Sequence, residues 1–392
     1  MFLTIITFFV VLSVLILVHE LGHFVLAKRA GIKVEEFGFG YPPRMFSKKI
    51  KGTVYSVNWL PFGGFVKLYG EELQEKKTAG ERESKNAFWN KSKKARTLVI
   101  IAGVLANFVL AVVAFSIVYS FSGIPVKTGQ VKVIGVLPET PATKSGIKEE
   151  DVILKVDEER LNDLPAGEAG LNHFISLVEQ KKGVEISLTI DREKDNPCQE
   201  KVFGGAPAAG EPKPAFSCQD GKLILWVTPR IDPPQGEGPL GVVVSDVEMK
   251  KFPFWQMPWR GTVEGFKEAF GWTALILSAL KKMVVDLIIH GTIPKDVAGP
   301  VGIFQITGMV AKSGLLNILQ FIGILSVNLA VINILPFPAL DGGRLIFVVY
   351  EAITRRRPKP SFERWVNTAG MAFLLMLIIL ININDVIRLI KK

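Results

Sequence analysis

Cysteine is nearly absent from this chain: two residues in 392. That excludes a disulfide-dense scaffold and a zinc domain built from cysteine pairs. Histidine is almost as scarce, with four residues, so a site needing several imidazoles has few places to form. Charge is missing over long stretches. None occurs from Phe2 to Val18, from Thr97 to Phe121, from Leu315 to Leu340 or from Val366 to Ile383. Such runs, 48% hydrophobic residues and a mean hydropathy of +0.31 exclude a disordered or fibrous chain.

Crossing a bilayer takes about 20 mostly apolar residues, and those four stretches are long enough. The first continues to about Ala27 and carries His19, Glu20 and His23. It lacks a basic n-region and a small-residue cleavage site, so it reads as a retained span and not as a cleaved signal. A fifth apolar stretch, Trp272–Ile289, is broken by Lys281, Lys282 and Asp286. Each charge at bilayer centre costs roughly 2.5–3.5 kcal/mol, so this stretch reads as an amphipathic helix at the interface. Phe254, Trp255 and Trp259 just before it suit the headgroup level.

The net charge of +10 is unevenly spread. Residues 124–245 are net acidic, and the excess of Lys and Arg flanks the apolar runs at 28–51, 91–96 and 355–359. With four crossings these three clusters share one side, which the positive-inside rule makes cytoplasmic. The acidic block and both termini then lie outside. This is membrane topology and not a nucleic-acid-binding face.

His19-Glu20-Leu21-Gly22-His23 matches H-E-x-x-H. On a helix the two imidazoles lie one turn apart on one face and can grip one zinc ion, with Glu20 placed to take a proton from water. A catalytic zinc takes three protein ligands. His173 and His290 lie outside the four spans, which leaves Asp341 as the candidate. The alternative for Asp341 is a residue that merely ends a span. Pro336 and Pro338 must interrupt the helix before it, and Gly342 and Gly343 allow a tight turn and close approach to the metal.

In these motifs the chain resembles the site-2 protease family of intramembrane zinc metalloproteases, over nearly its whole length. The bacterial RseP-type branch, which cleaves anti-sigma factors and signal-peptide remnants, matches best. His19–His23 sits in the first helix. Asn333-Ile-Leu-Pro-Phe-Pro-Ala-Leu-Asp341-Gly is similar to the family's N-x-x-P-x-P-x-L-D-G, and Gly299-Pro-Val-Gly-Ile303 to its G-P-x-G-I. The resemblance implies that His19, His23 and Asp341 bind one zinc, that Glu20 is the general base, and that Asn333 faces the site. Asn333 would hold the substrate backbone or the developing oxyanion; an interhelical hydrogen bond is its other reading. Where the family usually has Ala-Gly-Pro, this chain has Ala102-Gly103-Val104. Residues 37–67 look like the family's membrane-associated β-structure: a strand at Val54–Leu60, a break at Pro61–Gly64, and a resumption at Phe65–Leu68.

Between the second and third spans, Pro138–Ile153 resembles a PDZ signature. A helix is expected over Asn172–Lys182, and strands over Val184–Asp191 and Lys222–Thr228. A Pro/Gly/Ala-rich insertion at 195–221 carries both cysteines, for which a Cys198–Cys218 disulfide is expected, two free thiols being the alternative.

The expected fold is thus a multi-pass α-helical membrane protein with four transmembrane helices, an extracytoplasmic PDZ-like α+β domain and a cytoplasmic-side membrane-associated β-hairpin region. Its parts are a first metalloprotease half (1–123), the PDZ-like domain (124–245), an amphipathic interfacial segment (246–312) and a second half (313–392). The expected function is zinc-dependent cleavage of peptide bonds within transmembrane segments, at the cell (inner) membrane. The expected partners are membrane-protein substrates with a transmembrane helix and the lipid bilayer, with no nucleic acid. A catalytically inactive PDZ-bearing scaffold is the alternative. A transporter would show internal repeats, and none is found.

Overall fold

The computed structural model describes residues 1–71, 85–161, 170–198, 216–234, 236–290 and 299–390. Two compact units emerge: Met1–Gly123 with Phe252–Lys392, and Ile124–Lys251.

In the first unit, four helices are long and apolar enough to cross a membrane: α1 (Phe2–Arg29), α2 (Lys93–Ser122), α7 (Leu315–Ile334) and the Pro360–Ile383 part of α9 (Pro360–Ile390). Ser92 starts α2, its hydroxyl accepting the Ala95 N–H at 3.2 Å. Close crossing of α1 and α2 depends on Gly22, where a Cβ would stand 2.3 Å from the Ala102 carbonyl oxygen.

The uncharged run from Leu315 to Leu340 is not one helix. α7 stops at Ile334 because Pro336 forces the preceding Leu335 out of the helical region, to φ −57° and ψ 140°. A separate helix, α8 (Asp341–Thr354), begins at Asp341. Gly342 and Gly343 allow the tight turn before α8. A Cβ on Gly342 would lie 2.0 Å from the Leu335 carbonyl oxygen, and one on Gly343 2.3 Å from that of Phe337. They let the start of α8 lie close against the backbone of the Leu335–Pro338 turn.

The stretch read as an interfacial helix from Trp272 belongs to α5 (Met257–His290), which begins 15 residues earlier. It runs antiparallel beside α2: Gly261 faces Ser120, Gly265 faces Ser116, and Phe270 meets Phe108 edge-on at 5.1 Å between ring centroids. The composition signalled a helix lying flat; the small residues that bring it alongside α2 precede the apolar stretch. A short helix, α6 (Pro300–Lys312), packs on α1.

β1 (Val34–Ile50) and β2 (Thr53–Leu68) form their own sheet, each long strand folding on itself. Val54–Val57 lie opposite Lys49–Phe46 on one side and Glu36–Phe39 on the other. Past Pro61–Gly64, residues 64–67 pair back with 36–39. Among the described residues, 64–68 is therefore an edge of this sheet, lying against α1.

The second unit is a seven-stranded sheet in the order β7–β8–β6–β4–β3–β9, with β5 on β4. Its strands are β3 (Ile124–Val136), β4 (Val152–Val156), β5 (Glu159–Arg160), β6 (Ile186–Asp191), β7 (Ser217–Gln219), β8 (Lys222–Val227) and β9 (Val242–Lys250). Pairing of β9 with β3 carries the unit to Lys251, beyond residue 245. α3 (Pro141–Ser145) starts on a proline and ends on the left-handed Gly146. α4 (Gly170–Gln180) buries Phe174, Leu177 and Val178, the inner face of an amphipathic helix. Cys198 and Cys218 form a disulfide; of the insertion expected at 195–221, residues 199–215 lie outside the described residues.

Candidate metal centre

α1 presents His19 and His23 on one face, both buried, and α8 brings Asp341 to them from 318 residues away. His19 Nε2 lies 3.1 Å from Asp341 Oδ2, His23 Nε2 lies 3.2 Å from the same oxygen, and the two Nε2 atoms are 3.2 Å apart. Three donors bound tetrahedrally at zinc distances stand about 3.3 Å from one another. The triangle fits one such ion. Asp341 Oδ2 is buried and accepts no well-aligned hydrogen bond, as befits an oxygen shaped for a cation.

Outer partners orient the ligands. His23 Nδ1 is 2.8 Å from the Val99 carbonyl oxygen on α2. Gly103 is where α2 passes the site: a Cβ there would lie 2.4 Å from His23 Nε2 and 2.8 Å from His19 Nε2. Glu20, one residue from a ligand, accepts the Val66 N–H at 2.9 Å from the edge segment 64–68. All four of His19, Glu20, His23 and Asp341 line a cavity of about 930 Å³, which reaches Gly64–Val66 on the sheet and Asn367, Met371 and Leu375 on α9.

Two charged groupings fix α8. Arg344, one turn after Asp341, donates to Glu71, whose carboxylate raises the guanidinium's pKa. Glu351 accepts from Arg96 at 2.8 Å and from Arg357 at 3.2 Å, while Lys93 donates to its backbone oxygen at 3.0 Å. Burial raises the Glu351 carboxyl, and the two guanidinium groups bring it below its ordinary value. These contacts tie both ends of α8 to neighbouring elements and so hold Asp341 in place.

The sequence-predicted residues His19, Glu20, His23 and Asp341 are brought together. Asn333 is not among them: it is half-buried in the last turn of α7 and lines no part of the cavity. Sequence reasoning missed Gly103 and the Val99 carbonyl as neighbours of the candidate metal ligands, and the Arg96–Glu351–Arg357 cluster. A charge followed at once by an uncharged span, as at Arg96, is the signal that marks such an anchor.

Comparison with known proteins accords with this centre. The model of peptidase family M50 matches residues 7–377. A Clostridium perfringens protein provisionally named a zinc metalloprotease is 34% identical over 96% of each chain. Zinc metalloprotease RasP of Geobacillus kaustophilus is 29% identical, covering 98% of this chain and 97% of its own. The regulator of sigma-W protease RasP of Bacillus subtilis is 26% identical, covering 98% and 99%. With a family match over almost its whole length and relatives of the RseP-type branch, this chain belongs to peptidase family M50 and is a zinc metalloprotease of the site-2 type.

Proposed function

We propose that the protein is an intramembrane endopeptidase that hydrolyses peptide bonds within transmembrane segments, with His19, His23 and Asp341 holding zinc and Glu20 acting as general base. The observation that carries the reading is the 3.1–3.2 Å triangle of His19, His23 and Asp341 donor atoms, built on apolar helices with a carboxylate beside it. Zinc, when bound, supplies Lewis-acid chemistry that brings the pKa of a water toward 7. Glu20 takes that water's proton and passes it to the leaving amine. A helical peptide bond is shielded by its own turn, so the substrate must be extended first. The edge segment 64–68 supports strand addition there.

The name of the Bacillus subtilis relative, a regulator of sigma-W protease, supports substrates of the anti-sigma-factor kind for this chain. The Lys/Arg clusters at 28–51, 91–96 and 355–359 support a cytoplasmic placement of those loops, with residues 124–251 and both termini outside. The order of strands and helices in 124–251, and an edge strand β9 that contacts α4, support a PDZ-like module that receives extended peptides.

The test is a cleavage assay in liposomes against single-span substrates, with zinc measured on the same preparations. Wild type should hold about one zinc and cut within the span. Glu20→Gln should keep zinc and lose turnover by several orders of magnitude, and Asp341→Ala should lose the metal. A Glu20→Gln protein with wild-type turnover would remove Glu20 from the mechanism. Full zinc in Asp341→Ala after dialysis against a weak chelator would remove Asp341 from the ligands.

A further inference from the structure

Asn107 is completely buried in the middle of α2, inside a run without a single charge. An amide there costs about 1–3 kcal/mol unless its polar atoms are used. Its backbone carbonyl is used: Ser326 Oγ on α7, also fully buried, donates to it at 2.9 Å. Its side chain reaches the metal centre. Asn107 Nδ2 lies 3.4 Å from His19 Nδ1, and Oδ1 has no partner.

The geometry of His19 decides which end of the amide belongs there. Its Nε2 points at His23 Nε2 and Asp341 Oδ2, so Nε2 is the ring nitrogen left for the ion. A neutral imidazole that offers Nε2 carries its proton on Nδ1. That Nδ1–H needs an acceptor, and the facing Nδ2 is a donor. The two ends of an amide differ little in shape; turned by half a rotation, the side chain presents Oδ1 to the proton. His23 follows the same rule, its Nδ1 set on the Val99 carbonyl at 2.8 Å.

We infer that Asn107 is a positioning residue for His19: its side-chain carbonyl accepts the Nδ1 proton, fixing the tautomer and ring orientation in which Nε2 binds zinc. The inference rests on the zinc role proposed for His19, His23 and Asp341. Outer partners of this kind are worth roughly 10–100-fold in metal affinity.

Zinc affinity of the full-length protein in detergent, by chelator competition, tests it. Asn107→Leu keeps the volume and removes the acceptor, and should weaken zinc binding roughly 10–100-fold. Asn107→Asp restores an acceptor and should recover most of that loss. Ser326→Ala, which touches only the backbone carbonyl, should stay within about threefold of wild type, the scatter of a contact that leaves the ligands alone. Helical circular dichroism and melting accompany each variant. A folded Asn107→Leu protein with wild-type affinity, or an equal loss in the Leu and Asp variants, would overturn the assignment. A second measurement needs no variant at position 107. With the four histidines ¹⁵N-labelled, the zinc-loaded wild type should show His19, identified by its absence in His19→Gln, protonated at Nδ1 and metal-bound through Nε2. Metal on Nδ1 would sink the inference. Undiminished zinc in the His19→Gln protein would instead sink the metal reading itself, which separates the two failures.

Discussion

In residues 124–251, β6 and β8 bury alternate side chains, and Ile186, Leu188, Ile190, Leu223, Leu225 and Val227 meet in one continuous core. In the other unit, α2 does the reverse along part of its length. Leu98, Leu105, Val109 and Val113 are about half exposed or more, while Arg96 and Asn107 are buried. Its apolar contacts are split among several small clusters. The contrast follows from the solvent. Water drives apolar groups inward in the first case; a lipid surround leaves apolar groups outside at no cost and makes each internal polar group expensive. A buried leucine is thus informative in one unit, and a buried polar residue in the other.

The sharpest way to break that comparison is at the polar interior. Gly103→Ala puts a methyl group 2.4 Å from His23 Nε2 on a stiff helix. Displacing a ligand by such a distance should cost on the order of 100-fold or more in turnover, with zinc retention falling in parallel. Wild-type zinc content and cleavage in this variant would show that the ligand cluster is looser than described. Next in size is the apolar interior of residues 124–251. Leu188→Ala should destabilise that unit by about 2–5 kcal/mol, whereas Leu105→Ala, on the outward face of α2, should stay within about 0.5 kcal/mol. Hydrogen exchange on the full-length protein reads both, and equal effects would erase the distinction. Reducing Cys198–Cys218 releases a link of sequence separation 20, worth about 3 kcal/mol in the chain-entropy model. It should loosen β7 and β8 while cleavage of a small single-span substrate continues. Loss of that cleavage on mild reduction would tie the disulfide to the metal centre.

What could be read from the sequence follows the same division. The spans, His19, Glu20, His23 and Asp341 are legible because an ionisable residue beside an uncharged run is rare and costly. Alternation made β6 legible, and the PDZ-like phrase Pro138–Ile153 marked the segment that holds α3 and the start of β4. The helix break was legible at Pro336 and the tight turn at Gly342 and Gly343, but not the backbone carbonyls beside those glycines, which no pattern announces. The course of α5 along α2 was not legible because its apolar stretch begins at Trp272, while Gly261, Gly265 and Ala269, which bring it onto α2, come earlier, among charged residues. Asn333 was placed by resemblance, and it sits half-buried on the last turn of α7. Asn107 carried a usable signal, a lone amide in an apolar span, but its partner lies 88 residues away.

The smallest effect belongs to a polar contact in the water-exposed unit, and its weakness completes the contrast. Asp157 accepts from Lys181 Nζ at 2.6 Å, from the Ser187 N–H at 2.8 Å and from the Ser187 hydroxyl at 3.1 Å. Partial burial raises the Asp157 carboxyl, and the lysine and the amide outweigh it, so its pKa is lowered. The hydrogen bond to Asp157 raises that of Lys181. A depressed carboxyl contributes stability that is present above its unfolded value, about 3.9, and is lost as pH falls through the folded value. The raised lysine contributes below its unfolded value, about 10.4, and loses that contribution as pH climbs through the folded one. The pair therefore stabilises the unit on a plateau between those limits. Both side chains are about one-third exposed, so solvent screening holds the plateau to about 0.5–1 kcal/mol. Asp157→Asn should lower the melting of residues 124–251 slightly at pH 7 and remove most of the difference from wild type near pH 2. A constant difference at both pH values would mean that the side chain acts through its hydrogen bonds to Ser187 and not through its charge.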